Sequence, residues 1–277
     1  MEQINATHAW AIADGWWPAV ASVSPHDMAA ARGPFAAQAP EFQMVNDRMA
    51  RIQLAGPMVK GMAWGGAVST TGLQMALHSA MQAPEVKGIL FHVDSPGGMV
   101  AGTMELARMV ASANAQKPIV VHAEDTMASA AYWATAGASK IFASKGTLVG
   151  SIGVMVPVDD TSRMGEMMGV KRYMVTSGGV KGAGSDFVPV NQDELDSVQS
   201  IVDDYFNYFV EAVATGRGMS AKRARELGDG RVHMSEKAQE LGLIDGVQTI
   251  QDSYAALDRL IRNREAKGRA ASLTGRK

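Results

Sequence analysis

One serine stands among alanines in the stretch EDTMASAAYWATAG, residues 124–137. Alanine there lets a helix lie close against a sheet, so Ser129 is the residue that packing alone does not call for. A serine hydroxyl attacks a carbonyl only when a base takes its proton. The six histidines are His8, His26, His78, His92, His122 and His233. His122 belongs to the strand that precedes Ser129 and reads as part of that strand's packing layers. The segment SIGVMVPVDD, some two dozen residues after the serine, has no histidine, and a triad partner is set by the fold rather than by sequence position. The other base is Lys181, in the glycine-rich MVTSGGVKGAGSDF of residues 174–187. A lysine with a pKa of about 10.4 is neutral in roughly one molecule in 2,500 at pH 7. Burial that lowers it by about 3 units, or ~4 kcal/mol, makes it a usable base. The same glycines suit an exposed loop, and local sequence alone favours that simpler reading. A third feature is VDSPGGMVAG, residues 93–102. Gly97 and Gly98 carry no Cβ, so their backbone can approach a ligand closely. The turn fits an oxyanion hole, or equally a tight strand-to-helix connection. A phosphate cradle has less support, because no G-x-G-x-x-G or G-x-x-x-x-G-K-[ST] pattern is present.

The elements around these residues alternate. MARIQLAGPMV (49–59), VKGILFHVD (86–94) and KPIVVHAED (117–125) read as strands. GGAVSTTGLQMALHSAMQAP gives a turn and a helix, TMELARMVASANAQ a second helix, and the Ala-rich run with Ser129 near its start a third. KIFASKG, GSIGVMVPV and VKRYMVTSG add three short strand candidates. A long amphipathic helix is expected over 191–216, with further helices over 219–227, 235–241 and 247–264. This alternation predicts βαβ units in a mostly parallel sheet with helical outer layers. Residues 1–47 form an N-terminal extension, broken by Pro18, Pro25, Pro34 and Pro40 and carrying a segment around Trp10, Trp16 and Trp17. Residues 48–247 form the α/β domain, and 248–277 a C-terminal helix with a basic tail.

DSPGGMVAG, MASAAYW, GTLVGSIGVM, TSGGVKGAG and MSEKAQELGLIDGV follow one another in an order that resembles the signal peptide peptidase A family. These are serine–lysine peptidases on the Clp protease/crotonase superfold, and the likeness is greatest to the prohead, or head-maturation, proteases of tailed phages. The resemblance spans about residues 45–250. It implies an α/β fold of stacked ββα units with a mostly parallel sheet and outer helices. It implies Ser129 as nucleophile, Lys181 as general base, and the amides of Gly98 and Ala130 as the oxyanion hole. Gly97 lies beside that hole, and Ser151 in GSIGV either holds the lysine amine or merely opens a turn. Two departures stand out. Ala130–Ala131 replaces the commoner Gly-Gly, and His233 stands where an aromatic is usual. The resemblance further implies a ring of identical protomers that share each Ser–Lys site, no metal and no organic cofactor. Its implied substrates are scaffold and other head proteins, in the host cytoplasm or inside a procapsid. Three alternatives stand beside it: a soluble host or prophage signal-peptide-peptidase-like enzyme, a catalytically silent capsid scaffold of the same fold, and a crotonase-type acyl-CoA enzyme.

Composition sets the outer bounds. The chain has 277 residues, 47% hydrophobic and 19% charged, which suits an ordinary globular protein with ample core. It has no cysteine, which excludes a disulfide framework, a thiolate nucleophile and a Cys-ligated zinc. No apolar run approaches the ~20 residues of a membrane span, and the N-terminus shows no signal-peptide pattern. A cytoplasmic setting without a membrane partner is the expectation. The 19 methionines read as filler of cores and subunit contacts. From Arg259 to Lys277 seven Lys/Arg face Glu265 alone, so the net −2 divides into +6 there and −8 elsewhere. Such a tail reads as a solvated end, with nucleic acid or an acidic protein as the sharper alternative and no nucleic acid required.

Overall fold

The computed structural model describes residues 10–12, 41–61 and 66–274. The strands are β1 (Trp10–Ile12), β2 (Phe42–Met44), β3 (Met49–Ala55), β4 (Met58–Val59), β5 (Val68–Ser69), β6 (Gly88–Ser95), β7 (Gly97–Met99), β8 (Ile119–Ala128), β9 (Lys140–Ala143), β10 (Leu148–Gly150), β11 (Val232–Met234) and β12 (Gly246–Val247). The helices are α1 (Thr70–Gln82), α2 (Thr103–Gln116), α3 (Ala130–Thr135), α4 (Ser162–Met167), α5 (Gln192–Arg217), α6 (Ala221–Glu226), α7 (Ser235–Glu240) and α8 (Ile250–Thr274).

The large sheet runs β11-β10-β8-β6-β3-β2, with β9 also on β8 and β12 on β9. β3, β6, β8, β9, β10 and β12 are mutually parallel, while β2 and β11 close the ends antiparallel. This is the α/β architecture expected from the alternation of elements. Alternating residues of the central strands face opposite ways. Ile89, Phe91, Val93, Ile119, Val121 and Ala123 point into the main core, beneath α1, α2, α3 and α5. Leu90 and Val120 point the other way, against Leu257 and Ile261 of α8. Both faces are therefore covered, which is why the strands read as near-continuous apolar runs.

β8 serves two neighbours in succession. Its residues 120–123 pair with β9, and 126–128 pair with β10. A register shift between Val93 and Ser95 lets Ser95 face Met127. The second, smaller sheet runs β1-β7-β4-β5. It lies where the large sheet's strands end, and it brings a strand of the N-terminal extension onto β7.

Several sequence expectations change. VKRYMVTSG forms no strand: residues 170–178 are exposed, Val175 at 98%, and none of the described strands pairs with them. GSIGVMVPV supplies only its first residue to β10. Ser151, at φ 50°, turns the chain away, with its amide on the Arg231 carbonyl at 2.8 Å. α8 continues ten residues past 264, to Thr274, since the tail is rich in Ala, Arg, Lys and Glu and lacks proline. Trp16 and Trp17 lie outside the described residues.

Candidate active site

β8 ends at Ala128, and the chain then makes one sharp step before α3. Ser129 is that step, not a helical residue: it is the N-cap, at φ 53° and ψ −119°. A residue with a Cβ in this region costs on the order of 1–3 kcal/mol and persists only where the surroundings enforce it. Two backbone bonds enforce it here. The Ser129 amide donates to the Gly150 carbonyl at 2.8 Å, and its carbonyl accepts from the Trp133 amide at 2.8 Å. Behind it every residue of α3 is buried. Trp133 stacks on Phe209 of α5 with ring centroids 4.7 Å apart, and the Tyr132 hydroxyl donates to the Leu243 carbonyl at 2.8 Å. The core thus clamps the helix that presents the serine.

Ser129 is 1% exposed, and its Oγ has no hydrogen-bond partner among the described residues. A buried hydroxyl left without a partner costs about 1–3 kcal/mol, so it stands out against the ordinary economy of a core. Next to it, the amide of Ala130 opens α3 and has no acceptor within the helix.

The glycine turn packs directly on this step. A Cβ on Gly97, whose φ is 99°, would stand 2.8 Å from both Ser129 Cβ and the Ala130 nitrogen. A Cβ on Gly98 would stand 2.0 Å from the Met58 carbonyl oxygen and 2.6 Å from its nitrogen. Neither position admits a side chain. Ser95 braces the turn: its Oγ donates to the Gly56 carbonyl at 2.7 Å and accepts from the Gly97 amide at 3.2 Å. The amide of Gly97 is thereby engaged, while Gly98 stands between Ala11 of β1 and Met58 of β4 in the small sheet.

The structure thus gathers Ser129, Ala130, Gly97, Gly98 and Ser151, the last reached through Gly150 and 5% exposed. It does not gather Lys181. That residue lies exposed on a turn-rich loop, its amide donating to the Gly178 carbonyl at 3.4 Å, and it gives Ser129 Oγ no hydrogen bond. His122 is no substitute. It is 1% exposed, with Nδ1 2.9 Å from Ser253 Oγ and Nε2 3.2 Å from Ser144 Oγ. Burial, and then the charge of nearby His92, push its pKa down to about 4 against the pull of Glu124. It is a neutral core histidine, as its strand position suggested. Sequence reading missed two contributors. Ser95 sat inside the DSPGG motif without a role, and β1 carried no signal that would place it on β7. Among the described residues no cluster of three His, Asp or Glu side chains could hold a metal, and no helix is long and apolar enough to cross a membrane.

The sequence profile of peptidase family S49 matches residues 111–263, more than half of the chain. This chain belongs to peptidase family S49. Its S49 relatives include a putative protease of Methanocaldococcus jannaschii, 35% identical over 175 residues, which are 63% of this chain and 56% of that protein. A putative signal peptide peptidase SppA of Enterococcus faecium is 35% identical over 173 residues, 62% of this chain and 50% of that one. The capsid assembly protease C of Escherichia phage lambda is 27% identical over 224 residues, 79% of this chain and 51% of its own. The chain therefore spans about half the length of these S49 relatives. The resemblance to signal peptide peptidase A and to phage capsid proteases is borne out.

Proposed function

We propose that this chain is a serine endopeptidase in which Ser129 is the nucleophile and Lys181 the general base. The observation that carries the reading is the unpartnered, buried Ser129 Oγ on a strained step, with a Cβ-free turn packed against it. Ser129 Oγ attacks the scissile carbonyl carbon while the neutral lysine amine takes its proton. The oxyanion that forms is held by the amides of Gly98 and Ala130, an arrangement in which one donor is worth about 3–4 kcal/mol of barrier. The lysine ammonium returns the proton to the leaving amine, and water then releases the acyl group from Ser129. No step calls for a metal or an organic cofactor.

In this reading Lys181 comes from a neighbouring copy. Met164, Met167, Met168, Tyr173, Met174, Val175 and Val180, in the segment that leads to it, are all exposed large apolar side chains, and so much exposed apolar surface calls for a partner. The substrates are proposed to be capsid scaffold and head proteins, on the likeness to the capsid assembly protease of phage lambda, which extends over 79% of this chain. Membership of S49 speaks against the acyl-CoA alternative. The test is a fluorophosphonate probe followed by mass mapping. Labelling confined to the peptide containing Ser129, and abolished in Ser129→Ala, is the expected result. A folded, assembled protein that takes no label at Ser129 would favour the silent scaffold instead.

A further inference from the structure

Strand β1 lies on the one edge of β7 that β4 does not occupy. The register sets Trp10 opposite Met99, Ala11 opposite Gly98 and Ile12 opposite Gly97, antiparallel. Ala11 is 1% exposed, and β1 also packs against α3. The Ala11 carbonyl oxygen lies 2.3 Å from the point where a Cβ on Gly97 would stand, and that same point is 2.8 Å from Ser129 Cβ and 2.8 Å from the Ala130 nitrogen. A backbone carbonyl of the chain itself thus sits at the meeting of the glycine turn, the serine and the head of α3. A scissile carbonyl has to enter the same space. Peptides that add to a sheet do so along a free strand edge, through main-chain hydrogen bonds. Here that edge is filled from within.

We propose that β1 is an internal occupant of the place a substrate strand must take, and that it holds the site closed until it is displaced. The proposal rests on the serine peptidase reading above. Three residues of pairing make a weak strand, so an extended peptide that offers the same backbone bonds over a longer stretch can replace it at little net cost. The buried state of Ser129 follows from this closure, and access to it becomes a matter of competition between β1 and substrate.

The chain has no cysteine, so β1 can be locked in the full-length protein. Trp10→Cys with Met99→Cys places two thiols at facing register positions. Oxidation, with the cross-link confirmed by mass spectrometry, is expected to slow cleavage of an unstructured peptide at least tenfold, and reductant to restore it. Neither single variant should respond. In the opposite direction, Ala11→Arg puts a charge where no room exists and should expel β1. The expected results are a several-fold rise in kcat/KM, faster fluorophosphonate capture at Ser129 and faster deuterium uptake at residues 97–99. A cross-linked protein as active as its reduced form overturns the proposal, as does failure of the cross-link to form. A folded Ala11→Arg that cleaves more slowly also overturns it, making β1 a fixed wall that substrate needs. In each of these cases the wild type still labels at Ser129, and the peptidase reading stands. Absence of label and cleavage in every form overturns both.

Discussion

At Ser129 an unusual residue type and an unusual backbone coincide: a buried hydroxyl without a hydrogen-bond partner among the described residues, on a step at φ 53°. Alanine fits everything around it except the chemistry, so Ser129→Ala should fold and assemble as the wild type does while losing peptide cleavage. Steady-state turnover of a casein-type substrate checks this, and full turnover by the variant would refute the nucleophile assignment. Gly98 is constrained from the other side. An alanine there meets backbone atoms of Met58, at 2.0 Å and 2.6 Å, which cannot rotate away, so the turn must shift. Gly98→Ala should therefore lower kcat by about 100-fold or more, as loss of an oxyanion donor does, with a smaller change in KM. His122 bears on stability rather than catalysis. Its folded pKa of about 4 lies below the 6.5 of an ordinary histidine, so the unfolded chain binds more protons between these values. The contribution is fully present above pH 6.5 and is lost as pH falls towards 4, by about 3 kcal/mol. Urea midpoints at pH 7 and pH 4.5 should differ accordingly, and the difference should shrink in His122→Gln.

At the scale of elements, α3 matters more than its six residues suggest. It owes its position to partners that lie far away in sequence. Gly216 of α5 approaches so closely that a Cβ there would stand 2.2 Å from the Ala136 carbonyl oxygen, and Phe209 lies flat on Trp133. α5 itself changes character along its length. Its capping box at Asn191 and Glu194 starts it in solvent, and only Phe209, Val210, Val213 and Ala214 are buried. Residues 192–204 are exposed or half-buried, as are residues 174–184 around Lys181, whereas Tyr205 and Phe206 already pack against the core. Phe209→Ala removes the stack between α5 and α3. It should cost about 3–5 kcal/mol in urea unfolding and weaken assembly with it. A loss below about 1 kcal/mol would mean that the stack does not anchor α5.

At the scale of the whole molecule, Asp245 ties β9 to the C-terminal end of α5, through Lys140, the Ile141 amide and Arg217. Burial raises its pKa, but Lys140 at 2.8 Å, the Ile141 amide and Arg217 at 2.8 Å outweigh that and hold the carboxylate below the usual range. What the single chain does not bring together is Ser129 and Lys181, the proposed nucleophile and base. If a neighbour supplies Lys181, activity should fall on dilution as the assembly dissociates. Ser129→Ala and Lys181→Ala proteins, each inactive alone, should regain cleavage when co-assembled, because some interfaces then pair an intact serine with an intact lysine. Confirmed mixed assemblies with no activity above either variant would place the pair within one protomer or exclude Lys181 as the base.

The sequence by itself determined most of the scaffold. Apolar runs of strand length alternating with helical periods gave the parallel sheet, and α2 falls on the expected TMELARMVASANAQ. Local pattern suffices there because both faces of the sheet are covered, so burial depends on hydrophobicity alone. It also singled out Ser129, since a hydroxyl among alanines is conspicuous without any coordinates. Tertiary structure alone decided the rest. The strain at Ser129 comes from the Gly150 carbonyl and the buried α3, which are long-range partners. VKRYMVTSG has strand-like residues, yet strands need an edge to pair with, and none of the described strands pairs with it. β1 has the reverse history. Three unremarkable residues of an irregular extension become a strand because the edge of β7 is open to them, and that edge lies beside the serine.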